Sequence, residues 1–287
     1  VNSPFVLVTG ATGNQGSAVV KHLLTNGVRV RALTRNGDSP AAEKLRRAGV
    51  EIAVGDMNDR VSLDRALVGV NAVFAVQDFW AKGVGYAGEV QQGINLANAA
   101  LQAGVSHFVQ SGMAQGTRIE GIAHFESKRA ICNHIKSIGL PHTVVGTVYF
   151  MDNFLDPKRG GDMTFPTLTG TLKPNTKMHM LALDDLGAIV AHIMTRNNQY
   201  LNQYIDIASD CLTVPEMKEI YESTTGKQPK SWSLPGWVLR LFNKDFARQL
   251  VWQNDPGWSF SIEPSRTMHP SLCSFEQFIR RHQIQSL

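Results

Sequence analysis

Cysteine is scarce. Cys132, Cys211 and Cys273 are the whole complement in 287 residues, an odd number at wide spacing with no CxxC, which argues against a paired zinc site or a dithiol redox motif. Reduced thiols suit an intracellular compartment, so cytoplasmic residence is expected, with the nucleus as the alternative. No run approaches the roughly 18 unbroken apolar residues of a membrane span, and no basic-then-apolar leader precedes the first apolar run; no membrane association or secretion is expected. Charge is not gathered into blocks either: 28 Lys and Arg against 24 Asp and Glu leave a net of +4. So thin and scattered an excess is a poor footprint for nucleic acid, and none is expected as a direct partner. The histidines, His179 and His192 among them, lack metal-ligand spacing, so no metal is expected.

What is present is an alternation. "FVLVT" (5–9), "VRVRAL" (28–33), "VEIAV" (50–54), "NAVFAV" (71–76), "HFVQS" (107–111) and "HTVVGTV" (142–148) are short runs rich in β-branched or aromatic residues and read as strands. Helical patterns lie between them. The clearest covers 86–104, where Val90, Ile94, Ala97 and Leu101 share a face and Gly104 offers a left-handed cap. Six such alternations predict an α/β fold, a doubly wound parallel sheet with helices on both faces. After about residue 150 the rhythm breaks into the Pro- and Gly-rich "DPKRGGDMTFPTLTGTLKP" (156–174). A helix at "LDDLGAIVAHIM", a strand at "YIDIAS" and helices near 213–225 and 236–252 follow. The expected organisation is a large domain over 1–150 and a smaller, mostly helical cap over 151–287, with segments 176–209 able to return to the main sheet.

Gly10, Gly13 and Gly16 form GxxGxxG between the first strand and its helix. The first permits the tight turn, the second lets backbone approach a pyrophosphate, and the third lets helix pack on strand. Free amides at the helix start then face the phosphates, which makes a dinucleotide the expected ligand. Where NAD-binding folds place an acid on the ribose, "ALTRN" has Thr34, followed by Arg35, a guanidinium suited to a 2′-phosphate. NADP(H) is therefore the expected cofactor. In "GDMND", Asp56 and Met57 stand where an adenine ring is bonded and covered, though Asp56 equally suits a turn cap.

"VTGATGNQG", "RALTRN", "GDMND", "FAVQDFW", "QGINLANAALQAGVSHFVQSG" and "AHFESK", in this order, resemble the NmrA-like branch of atypical short-chain dehydrogenases/reductases. The likeness covers most of the first 155 residues and, more loosely, "LALDDLGAIVAHI". It implies a Rossmann fold of the atypical or extended short-chain dehydrogenase type. It also implies a cofactor set of Gly10, Thr12, Gly13, Asn14, Gln15, Gly16, Thr34, Arg35, Asn36, Asp56, Met57, Val76, Gln77, Ser111 and Lys128. The family divides into NADPH-dependent reductases and NADP(H)-binding sensors or transcriptional co-regulators without turnover.

The arrangement of ordinary members, a Ser with a Tyr and a Lys spaced YxxxK, is broken. "HFESK" puts His124 at the Tyr position and retains Lys128, while the Ser position falls near Met113, with Ser111 slightly earlier. Independently of family, His124, Lys128, Ile131, Ile135 and Ile138 follow steps of four and three, which continues a sheet-facing stripe into two polar residues. A cation there requires a partner. Lys128 is expected on the nicotinamide ribose and His124, an imidazole suited to general-acid work, towards substrate. The plainer alternatives are a histidine satisfied at a helix start and a lysine reaching solvent along its alkyl stem.

Phe79 and Trp80 of "QDFW" are expected over the nicotinamide, with Met113, Phe150 and Asn153 also on the substrate side. "VYFMDNF" supplies Phe150 and Asn153 beside Met151 and Phe154, and Tyr149 is a second candidate proton donor. All of these aromatics suit core packing equally well. In "LPGWVLRLFNKDFARQLVW", Leu239, Phe242, Phe246 and Leu250 read as one helical face, packed on the cap or open to a partner. The expected function is an NADPH-dependent reductase of a small apolar carbonyl, enone, quinone or imine, acting as monomer or homodimer. The alternative is a non-catalytic NADPH/NADP redox sensor that binds a regulatory protein.

Overall fold

The computed structural model describes residues 4–116, 120–155, 163–196, 199–230 and 232–285. In chain order, the first stretch alternates without exception: β1 (Phe5–Val8), α1 (Asn14–Thr25), β2 (Arg29–Thr34), α2 (Pro40–Arg47), β3 (Glu51–Val54), α3 (Arg60–Leu67), β4 (Ala72–Ala75), α4 (Gly85–Gln102), β5 (His107–Met113), α5 (Ala123–Ser137) and β6 (His142–Thr147). There follow β7 (Tyr149–Phe150), α6 (Thr164–Thr171), β8 (Met178–Leu181), α7 (Leu183–Thr195), β9 (Gln203–Asp206) and β10 (Asp210–Leu212). The chain then runs through α8 (Val214–Thr225), α9 (Gly236–Phe242), α10 (Lys244–Gln253), α11 (Glu263–Met268) and α12 (Phe275–Gln285). No described helix is long and apolar enough to cross a membrane.

The chain divides into one unit of residues 1–146 and 186–206 and another of 147–185 and 207–287. In the first, seven strands lie in the order β3-β2-β1-β4-β5-β6-β9. Pairs β1–β2, β1–β4, β2–β3, β4–β5 and β6–β9 are parallel. Burial on both faces explains why β1 and β4 are continuous apolar runs rather than alternating ones. The strand order reverses between β1 and β4, so the crevice outside the carboxyl ends of those two strands is where such a sheet takes a ligand.

A single division at 150 is not what the chain does. Residues 186–206 join the first unit because β9 extends the sheet beside β6 and because α7 approaches α1 at Gly187, where a Cβ would stand 2.4 Å from the Ala18 carbonyl oxygen. The returning segment is narrower than 176–209, since β8 belongs to a separate three-stranded sheet, β10-β8-β7. This sheet and α6, α8–α12 make up the second unit. There Asp185, 2% exposed, accepts from Ser209 Oγ at 2.5 Å and from the Cys273 amide at 2.9 Å, with His269 Nε2 3.3 Å away. Residues 156–162 of the Pro- and Gly-rich connection lie outside the described residues.

Two helical faces differ from expectation. On α4 the buried residues are Glu89, Gln92, Gly93, Leu96, Ala97, Ala99 and Ala100, while Leu101 is exposed. Small residues let α4 lie close to its neighbours, and that proximity outweighs the larger apolar stripe read from Val90 to Leu101. The helix expected over 236–252 is two: Asn243 ends α9 and caps α10, its Oδ1 accepting from the Phe246 amide at 3.0 Å. Leu239 and Leu250 are buried but Phe242 is 83% exposed, so the four residues do not form one face.

Candidate functional site

The β1–α1 turn is held open by contacts that exclude side chains. Gly10 has φ +58°, and a Cβ on it would lie 2.8 Å from Val76 Cγ1. A Cβ on Gly16 would lie 2.3 Å from the Gly10 carbonyl oxygen. The Gly13 amide donates to that same oxygen at 2.8 Å, and Gly13 serves as the N-cap of α1 without a side-chain bond to the first turn. Gly10, Thr12, Gly13 and Asn14 are all exposed. A bare, exposed turn feeding an uncapped helix start presents amide hydrogens to an anion.

The turn is fastened to the neighbouring strand ends. Thr9 Oγ1 donates to the Val76 carbonyl at 2.9 Å and accepts from the Val76 amide at 2.8 Å. Ser111 Oγ donates to Gln15 Oε1 at 2.7 Å, tying the end of β5 to the first turn of α1. Gln110 Nε2 donates both to the Ser111 carbonyl at 2.8 Å and to Gln77 Oε1 at 2.9 Å. Because a carbonyl only accepts, this chain fixes which way each amide points. Gln77 Nε2 and Gln110 Oε1 are left buried without a partner among the described residues. An orphaned donor beyond β4, at the switch point, fits a ligand acceptor.

At the end of β2, Arg35 is exposed, while Thr34 and Asn36 bond one another locally. Arg35 lines a depression of about 290 Å³ with Gly55, Asp56, Ser62 and Arg65. Arg65, from α3, is a second guanidinium that sequence spacing does not reveal. Asp56 uses Oδ1 on the Asn58 amide at 2.8 Å and on Asn58 Nδ2 at 3.0 Å, so it shapes its turn. Met57 packs at the edge of the main core, and its carbonyl accepts from Asn95 Nδ2 at 2.9 Å.

On α5 the stripe is as expected: His124, Ile131 and Ile135 are buried and Lys128 nearly so. His124 packs among Phe125, Trp80 and Phe79, with centroids at 4.5, 5.1 and 5.7 Å. Phe79 and Trp80 contact each other edge to face at 4.9 Å, and Trp80 stays 52% exposed. Lys128 Nζ donates to Glu89 Oε1 at 2.7 Å, and Ser127 Oγ donates to the other carboxylate oxygen. Glu89 is wholly buried on α4, where a Cβ on Gly93 would meet Ile131 at 2.6 Å; the two helices are therefore in close contact. Removing one partner from so buried a pair costs about 3–5 kcal/mol. The spacing of large apolar residues on α4 gives no sign of Glu89, which is buried on the face of small residues.

Met113, buried, ends β5, and its carbonyl accepts from the Tyr204 hydroxyl. Asp206 Oδ1 accepts from the amide of Gln115, a residue with φ 53°, at 3.0 Å. The returning β9 segment thus pins the connection after β5. Burial raises the Tyr204 phenol well above its usual range.

Tyr149, Phe150 and Asn153 belong to the second unit. The Tyr149 hydroxyl is buried and bonded to Thr164 and Asn153; burial pushes its pKa up to about 12, so it stays protonated at neutral pH. Its ring meets Phe154 edge to face at 6.2 Å, as a core aromatic does. Among the described residues no group of His, Cys, Asp and Glu has metal-ligand geometry.

A doubly wound sheet with a glycine turn at its switch point defines a nucleotide-binding class of protein. The chain belongs to the NmrA-like family, which it matches over residues 2–269. It is 30% identical over 254 residues to an NmrA-like family domain-containing oxidoreductase of Aspergillus hancockii, covering 81% of this chain and 76% of that protein. Its fold is similar to the triphenylmethane reductase of Citrobacter sp., solved with NADP(H), at TM-score 0.80 and 20% identity over 96% of this chain and 99% of that one. It is similar also to NmrA, a negative transcriptional regulator solved with NADP, at TM-score 0.78 and 18% identity over 100% and 97%. At those identities the two structures speak for the fold alone.

Proposed function

We propose that this chain is an NADPH-dependent reductase that delivers hydride to a small, apolar carbonyl, enone, quinone or imine. The observation that carries the reading is on α5: a buried imidazole, His124, among Phe79, Trp80 and Phe125, one turn before an ammonium, Lys128, held by a buried carboxylate. The residues present fit a dinucleotide. A Cβ at Gly10 or Gly16 would clash with Val76 or with the turn's own backbone, so the turn keeps its bare glycines, and Gln77 has a buried donor to give. Arg35, with Arg65 in the same depression, supports the 2′-phosphorylated form. When bound, the cofactor supplies the hydride. The chain binds and orients it through the glycine turn and Lys128, excludes water with Phe79 and Trp80, and delivers a proton from His124.

The test is incubation with NADPH and a panel of quinones, enones, aldehydes and imines while the absorbance of the reduced cofactor is followed. Consumption with any class supports the reading. Tight NADPH binding with no consumption on the whole panel overturns it in favour of a redox sensor, which His124 in place of the usual tyrosine would also suit.

A further inference from the structure

We propose that Glu89 is a positioning residue whose charge balances Lys128, and that this balance sets how the site discriminates between oxidised and reduced cofactor. The proposal rests on the cofactor reading above. Glu89 is wholly buried, and both of its oxygens are engaged from α5, by Lys128 Nζ at 2.7 Å and by Ser127 Oγ. A carboxylate is retained in so dry a place only with a partner. The close approach at Gly93 and Ile131 brings the partner to it.

The two cofactor forms differ by one charge: the oxidised nicotinamide ring is cationic and the reduced ring neutral. With the pair intact, the field of the ammonium is largely cancelled by the carboxylate beside it. Without the carboxylate charge, the ammonium repels the cationic ring and leaves the neutral ring unaffected. Without the ammonium, the carboxylate, still held by Ser127, attracts the cationic ring. The two single changes therefore act in opposite directions, and making both restores the balance. A purely architectural role for the pair weakens both cofactor forms alike.

The experiment is calorimetric titration of wild type, Glu89→Gln, Lys128→Met and the double variant with NADP+ and with NADPH at one low ionic strength. The ratio of the dissociation constant for NADP+ to that for NADPH is expected to rise roughly five- to thirty-fold in Glu89→Gln, the size of a unit-charge interaction across a partly screened interior. It falls in Lys128→Met and returns to within about twofold of wild type in the double variant. Wild type binding both forms, with the ratio unchanged in every variant, overturns this proposal alone. Wild type binding neither form overturns the cofactor reading and this proposal with it. Should Glu89→Gln fail to fold, the ratios of Lys128→Met and the double variant, which leaves neither charge of the pair, still decide the matter.

Discussion

A methyl group on Gly16 would lie 2.3 Å from the carbonyl oxygen of Gly10 and 2.5 Å from its carbonyl carbon. Both atoms are backbone, so no side chain can swing aside. Gly16→Ala is expected to displace the turn from α1, lowering stability by at least about 2 kcal/mol. NADPH affinity should fall further than the stability loss accounts for, because the Gly13 amide bonds the same carbonyl oxygen. Urea denaturation and calorimetric titration of one preparation check both parts. Unaltered affinity in a folded Gly16→Ala protein would refute the assignment of the turn to phosphate.

The proposed preference for the 2′-phosphorylated dinucleotide rests on Arg35. A charge-assisted pair with a phosphate is worth about 1.5–3 kcal/mol, or roughly 10- to 100-fold in affinity. Arg35→Ala should weaken NADPH by that factor and leave NADH nearly unchanged, since only the former carries the 2′-phosphate. Arg65→Ala, from the same depression, should show a smaller loss of the same kind. Equal losses for the two nucleotides in Arg35→Ala would place the guanidinium elsewhere in the interaction.

Much of the first unit was legible in advance, for a physical reason. Parallel strands buried on both faces must be apolar throughout, and the tight turn between β1 and α1 must be glycine, so both leave local signatures. The features without a local signature depend on packing between distant segments. Glu89 lies on the side of α4 that small residues bring against α5, and no local pattern marks a carboxylate whose lysine is 39 residues away. The return of residues 186–206 depends on β9 pairing with β6 and on the close approach at Gly187. The break between α9 and α10 rests on Asn243 capping α10, a polar residue in an otherwise continuous helical pattern. The stripe on α5 requires a partner for Lys128, but nothing near it in sequence names the protein carboxylate that the structure shows there.

His124 is the proposed proton donor, and its packing suggests a clean test. Phenylalanine matches the imidazole closely enough to keep contact with Phe79, Trp80 and Phe125, yet carries no transferable proton. His124→Phe is expected to reduce kcat by about 100-fold or more while the dissociation constant for NADPH changes by less than about twofold. Stopped-flow measurement of hydride transfer beside equilibrium titration separates the two quantities. A variant that turns over at the wild-type rate would remove His124 from the mechanism.

His107, 1% exposed at the start of β5, couples stability to pH. Thr143 donates its hydroxyl proton to the Tyr200 carbonyl at 2.7 Å, so its oxygen must accept from His107 Nε2, 2.8 Å away. Nδ1 is buried without a partner among the described residues. The ring is therefore neutral with its proton on Nε2, and burial, with a smaller contribution from His142, lowers its pKa to about 4. An unfolded histidine titrates near 6.5, so between about 6.5 and 4 the unfolded chain binds a proton that the native chain does not. This stabilisation is fully present above the unfolded value and is lost as pH falls through that window, to the extent of roughly 3 kcal/mol. His107→Gln keeps a donor for Thr143 but cannot titrate. Comparing urea midpoints at pH 7 and pH 5, wild type should lose distinctly more stability than the variant; parallel losses would mean that other groups carry the acid sensitivity.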